Sequence, residues 1–365
     1  MHKKIPGFKL NFSESQIQSV LNGVETVLRS GMISASAYVT KIEEQSKKFL
    51  RIPFCLGVSS GTTALEMAAA CVKKFDYKKR SKILVPVNTF IATALAMEKV
   101  GYSIEFVDME LEYLGMDLEQ ARAMIDADPD IAAVTVVHIG GYINPGLKDF
   151  AAFCKTKNVF LIEDCAHAYG SEGAGQFGDV SAFSFFATKV FTAGEGGLIT
   201  THYQQFNDYM VLLRNFGKTD PWQSYHIERG YNYRMSEFAA IVLNCQLEIY
   251  DEVLNNRQRI FDVYKSNLKD TVGLISPGHR CSWYKITILS DKKEEIKKVL
   301  NENNIHLAGG IYDIPLNKMP VYIDNISKQF PVAERFAGEH ICLPVYSELQ
   351  DTDIIGVCNI INTFY

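Results

Sequence analysis

Along the first 250 positions apolar residues alternate between two rhythms: short unbroken runs, and longer stretches in which they return every three or four residues. The short runs predict seven strands, at 54–58, 83–87, 104–107, 132–137, 159–163, 182–186 and 198–200. The helical rhythm predicts helices between most of them, such as 63–74, 91–100 and 147–157. Ahead of these, Ser13-Glu14-Ser15-Gln16 reads as a capping box, with Ile17, Val20, Leu21, Val24, Val27 and Leu28 at helical spacing until Gly31 ends the pattern. Strands alternating with helices imply a mostly parallel sheet with both faces covered. One long helix is expected over 236–268, after which the texture changes to a strand run at 284–289 and helices at 292–301 and 332–340. The expectation is an α/β protein with two domains. A large domain, 1–250, holds the seven-stranded sheet flanked by helices and an N-terminal helical segment; a smaller α+β domain fills 251–365.

Composition narrows the function classes. The 365 residues are 47% hydrophobic and 22% charged, as in an ordinary water-borne globular protein. A net charge of -5 leaves no basic face for a phosphate backbone, so nucleic acid is not an expected partner. No apolar run approaches the roughly 20 residues of a membrane span, and Met1-His2-Lys3-Lys4-Ile5-Pro6 has no apolar stretch behind its basic residues, so neither a membrane nor a signal peptide is expected. Eight scattered cysteines form no Cys-x-x-Cys pair and the histidines no His-x-x-x-His, so no metal site is expected and a reducing cytoplasm is.

The candidate chemistry centres on Lys189, which follows the run Phe183-Ser184-Phe185-Phe186-Ala187-Thr188 and precedes Gly194-Glu195-Gly196-Gly197. An amine attacks a carbonyl only after losing its proton, and a lysine desolvated among small and aromatic residues does so more readily. Twenty-five residues upstream, Val159-Phe160-Leu161-Ile162-Glu163-Asp164 delivers a carboxylate at a strand end, where open α/β sheets place ligands. A buried acid and a carbonyl-binding lysine are what pyridoxal 5'-phosphate requires, the acid keeping the pyridine nitrogen protonated. Ser59-Ser60-Gly61-Thr62-Thr63 sits between a strand and a helix and is either a plain helix cap or a phosphate site, with Gly61 permitting close backbone approach and hydroxyls beside it. Ser184 is a second candidate phosphate ligand, Phe90 offers a face to a flat ring or else belongs to the core, and His167 stands three residues beyond Asp164. Gly230-Tyr231-Asn232-Tyr233-Arg234-Met235 puts an amide and a guanidinium in one turn.

Two motifs mislead. Gly173-Ala174-Gly175-Gln176-Phe177-Gly178 matches the dinucleotide fingerprint by letter, but the following residues continue as a strand where that fingerprint must open a helix. Gly217-Lys218-Thr219 resembles the end of a P-loop, yet Leu212 stands where the leading glycine belongs.

With Ser60–Leu65, Val85–Ala94, Val137–Gly141, Ile162–Ala168, Ser184–Gly197 and Tyr231–Glu237 in view, the chain resembles the DegT-type sugar aminotransferases, which have the aspartate aminotransferase fold (type I), from about Gly31 to Pro344. The resemblance implies that Lys189 binds the cofactor aldehyde, Asp164 pairs with the ring nitrogen, His167 meets the phenolate side and Phe90 stacks on the ring. It further implies that Gly61, Thr62 and Ser184 hold the phosphate and that Asn232 reaches the phosphate of a neighbouring subunit's cofactor, making the active unit a homodimer. The expected reaction moves an amino group from L-glutamate to a nucleotide-linked keto-deoxy sugar. Arg234 and Tyr312 are candidate substrate contacts, and Trp222 and His226 are pocket candidates by loop position. Ser34-Ala35-Ser36-Ala37 and Phe216 depart from the family pattern and leave the sugar open. Two alternatives remain: a cofactor-binding regulatory protein without turnover, and a related keto-sugar dehydratase. Dehydratases of this kind carry histidine at the lysine position, so Lys189 favours amino transfer.

Overall fold

The computed structural model describes residues 4–220 and 222–365. Its main sheet contains β1 (Phe54–Val58), β2 (Lys82–Pro86), β3 (Ser103–Val107), β4 (Ile131–Val137), β5 (Phe160–Asp164), β6 (Val180–Ser184) and β7 (Gly197–Thr201). All seven apolar runs became strands. The largest displacement is in β6, where the apolar run continues through Phe185, a residue buried in the core after the strand has ended.

The spatial order is β1-β7-β6-β5-β4-β2-β3. β7 is antiparallel to both neighbours, and the other six strands share one direction. β4 is buried at every position, as a central parallel strand covered on both faces should be. Because the six strands run together, Val58, Val137, Asp164 and Ser184 all end at one edge, where the connecting loops gather around a common site. Gly197 pairs with both Val58 and Ser184 there. A Cβ on it would lie 2.3 Å from the Ser60 carbonyl oxygen, so only glycine lets the chain after β1 cross this edge.

The helix Gly61–Phe75 starts directly after β1, with a Ser60–Thr63 capping box, and packs across β6 and β7. Its N-terminus therefore faces the end of β6. The helix Glu14–Ser30 also forms as expected, with its capping box and Gly31 in the left-handed conformation that ends it.

The helix expected over 236–268 is two, Glu237–Leu247 and Tyr250–Asn267, broken at Ile249. No glycine or proline marks the break. Tyr250 stacks on Phe49 at 4.2 Å and on Phe191 at 5.2 Å between ring centroids, and this packing fixes where the second helix begins.

A second sheet has the order β10-β9-β8, with β8 (Gly273–Leu274), β9 (Ile286–Leu289) and β10 (His340–Leu343) antiparallel. Helices Lys293–Glu302, Pro331–Glu339 and Asp351–Asn362 accompany it. The N-terminal segment joins this half: Ile5 bridges to Ile305, and its N–H donates to the Asn304 carbonyl at 3.0 Å. Among the described residues no helix is long and apolar enough to cross a membrane.

Candidate active site

A cavity of about 510 Å³ opens at the C-terminal edge of the main sheet. Asp164 and Lys189 both line it. Asp164, the last residue of β5, is 4% exposed; Oδ2 accepts from Thr93 Oγ1 at 2.8 Å and Oδ1 from the Ala166 N–H at 3.0 Å. Burial raises its carboxyl above the usual range, opposed by Thr93, Ala166 and Lys189. Lys189 sits in the turn after β6, where its N–H donates to the Phe186 carbonyl at 2.9 Å. Burial lowers its amine to about 8, with Asp164 opposing the change and Lys285 adding to it. Nζ lies 4.8 Å from the centroid of the Tyr284 ring. Among the described residues no ion pair joins Lys189 to Asp164, so the two charges face one space without closing it.

His167 is buried and stacked on Tyr284, with ring centroids 4.2 Å apart. The Gly140 N–H donates to its Nδ1 at 3.3 Å, so in the neutral ring the proton resides on Nε2, 3.5 Å from Tyr312 Oη. Burial, then Lys189 and Lys285, holds this imidazole well below its ordinary range. It is therefore a neutral donor toward the cavity.

Gly61, Thr62 and Ser184 form another wall. A Cβ at Gly61 would stand 2.8 Å from the Ser184 Cβ, so the helix N-terminus approaches the end of β6 as closely as a backbone allows. The first N–H groups of a helix lack intrahelical acceptors and lie at the positive end of its dipole. With the Ser184 hydroxyl beside them, they form an anion cradle. Phe90, 59% exposed, lines the cavity and lies 6.5 Å from Tyr312 between centroids.

These residues fit pyridoxal phosphate. A buried carboxylate without a paired cation, an amine brought to about 8 and an anion cradle free of side-chain bulk at Gly61 surround one cavity.

The Gly173–Gly178 turn has a different purpose from the one its letters suggest. Its Gly175, Phe177 and Gly178 N–H groups all donate to the Glu163 carboxylate, as does His138 Nε2 at 2.9 Å. His138, Glu163 and Cys165 bring ligand-type atoms within 4.8 Å of one another. Both Glu163 oxygens are nevertheless taken by protein N–H groups, so the cluster is a buried strut beneath Asp164. Leaving one buried donor unsatisfied costs about 1–3 kcal/mol, and Glu163→Ala orphans several. The variant should lose about 3 kcal/mol or more in denaturant unfolding; a loss below about 1 kcal/mol would show that water replaces the carboxylate.

The remaining sequence candidates divide. Tyr312 lines the cavity, but Asn232 and Arg234 do not. Arg234 donates to Asn215 Oδ1 at 2.6 Å and lies over Phe216, while Asn232 is exposed. Trp222 is 83% exposed, and His226 Nδ1 donates to the Phe216 carbonyl at 2.8 Å. Among the lining residues that sequence reasoning passed over are three with titratable side chains: Arg257, Tyr284 and Lys285. Tyr284 and Lys285 were counted only as the start of a strand, although a lysine opening an apolar run was a visible signal.

The family model described as the DegT/DnrJ/EryC1/StrS aminotransferase family matches residues 14–362. GDP-perosamine synthase of Escherichia coli O157:H7 is 30% identical over 352 residues, covering 94% of this chain and 94% of that protein. Helicobacter pylori PseC, an aminotransferase involved in the biosynthesis of pseudoaminic acid, has the same fold with a TM-score of 0.89 at 23% identity, over 99% of each chain. NtdA from Bacillus subtilis, solved with bound cofactor PMP, gives a TM-score of 0.89 at 21% identity, over 98% of this chain and 85% of that one.

Proposed function

The chain belongs to the DegT/DnrJ/EryC1/StrS aminotransferase family, as a sugar transaminase working with pyridoxal 5'-phosphate, and we propose that it moves an amino group from L-glutamate to a nucleotide-linked keto-deoxy sugar. The observation that carries the reading is the placement of Lys189 and Asp164 on one cavity, unpaired with each other. When bound, the cofactor supplies an electron sink that lets an amino group pass between two carbons.

Asp164 would hold the ring nitrogen, and gaining a cationic partner would relieve the burial that raises its carboxyl. Gly61, Thr62 and Ser184 would hold the phosphate, with Phe90 on one face of the ring. The neutral His167 would donate from Nε2 to the phenolic oxygen. Lys189 would hold the aldehyde carbon and, once displaced by the donor, move a proton at Nζ. An amine at about 8 is sufficiently neutral near pH 8 to accept it.

A homodimer completes the proposal. Ile17, Leu21 and Leu28 on the first helix, and Met32 and Ile33 just beyond its end, are each more than two-fifths exposed, so these apolar side chains lack a cover within one chain. Asn232 and Arg234, which do not line their own cavity, would serve a partner's. Eight buried free cysteines support a cytoplasmic location. The name of the perosamine relative supports a sugar nucleotide as acceptor.

The test is purified, cofactor-loaded protein with L-glutamate and a panel of nucleotide-linked keto sugars, followed by mass spectrometry. The expected result is 2-oxoglutarate and an amino sugar nucleotide in equal amounts. Glutamate left intact, with no 2-oxoglutarate released, would overturn the reading.

A further inference from the structure

Lys285 lines the same cavity as Lys189 and is half-buried. Its Nζ donates to the Gly309 carbonyl at 3.1 Å and lies 5.3 Å from the centroid of the Tyr284 ring. Lys189 Nζ lies 4.8 Å from that same centroid, so one aromatic ring neighbours both amines. Among the described residues no carboxylate pairs with Lys285. Behind it is a second uncompensated cation: Arg257 is buried, its Nη1 donates to the Trp283 carbonyl at 2.6 Å, and its Nε has no partner. Lys285 and Arg257 thus meet the cavity without a paired carboxylate, although Asp164 and Glu195 line it elsewhere. Burying charge without a counter-ion is costly, and the cost is recovered only when an anionic ligand arrives.

We propose that Lys285 anchors the α-carboxylate of the amino-acid donor, with Arg257 supplying background positive charge. This rests on the transaminase reading above. Proximity to Lys189 selects the ligand group. In an α-amino acid the carboxylate is bonded directly to the carbon that gives up its amine, so it must lie beside the reacting lysine. In a sugar nucleotide the diphosphate hangs from the anomeric carbon, with sugar-ring atoms between it and a keto carbon elsewhere on the ring. Tyr284 keeps the two amines on a fixed support, and the Gly309 carbonyl leaves two of the three ammonium donors for the ligand.

The test compares wild type with Lys285→Met and Lys285→Arg, all verified as folded by circular dichroism. A hydrogen bond to a charged group is worth about 1.5–3 kcal/mol, or roughly ten- to a hundredfold in binding. Lys285→Met should therefore raise KM for L-glutamate about tenfold or more, leave KM for the sugar nucleotide unchanged, and recover largely in Lys285→Arg. Calorimetry with glutarate, a dicarboxylate that cannot transaminate, should show the same weakening and the same recovery. An unchanged glutamate KM and glutarate affinity in Lys285→Met overturns the proposal, as does a loss confined to the sugar nucleotide. If wild type transfers no amino group from any donor, the transaminase reading fails, and the glutarate titration still decides whether Lys285 binds a carboxylate.

Discussion

Lys189→Ala is expected to abolish amino transfer, lowering kcat by about a thousandfold or more, because in the proposed reaction one amine would both bind the cofactor aldehyde and carry the proton. Borohydride reduction of the loaded wild type should fix the cofactor to the peptide containing Lys189; the variant should release it on denaturation. The sign of the pH dependence follows from burial. An exposed lysine is protonated until near 10.4, whereas this amine sits at about 8. Uptake of pyridoxal phosphate by the apoprotein should accelerate as pH rises through about 8 and level off above it, since only the neutral amine attacks. A variant that kept turnover, or uptake still climbing steeply at pH 10, would remove Lys189 from its role.

Asp164→Asn should cost about a hundred- to a thousandfold in kcat, the scale for removing one preorganised electrostatic partner of a reacting group. Its effect on stability should run the other way. In the apoprotein the Asp164 carboxylate is buried, and burial is the largest influence on it, raising its pKa. The amide keeps an acceptor for Thr93 or Ala166 without a buried charge, so the apoprotein's Tm should not fall and the gap between loaded and apo Tm should narrow. Calorimetric melts of both forms measure this. A large fall in apoprotein Tm would mean that Asp164 supports the fold before it serves the cofactor.

The seven main strands were legible because parallel strands covered on both faces are unbroken apolar runs, and such runs are local in sequence. Lys189, Asp164, His167, Gly61, Thr62, Ser184, Phe90 and Tyr312 were legible because they lie at or beside strand ends or in recognisable turns, and the structure brings all of them to one cavity. The break at Ile249 was not, since it depends on Tyr250 meeting Phe49 and Phe191, residues far away in the chain. The glycine-rich turn at 173–178 was legible as unusual, but its purpose, wrapping Glu163, appears only when β5 is placed beside it.

The sequence alone determined the strand set, the alternation of helices and the pairing of a lysine with an acid at strand ends, because those depend on periodicity and short-range order. Tertiary structure decided that the helix N-terminus at Gly61 meets Ser184, that Arg234 stays outside this chain's cavity and that Lys285 enters it. Those outcomes rest on strand order and on contacts between distant segments, where packing and the electrostatics of burial act on residues whose neighbours in the chain say nothing about their neighbours in space.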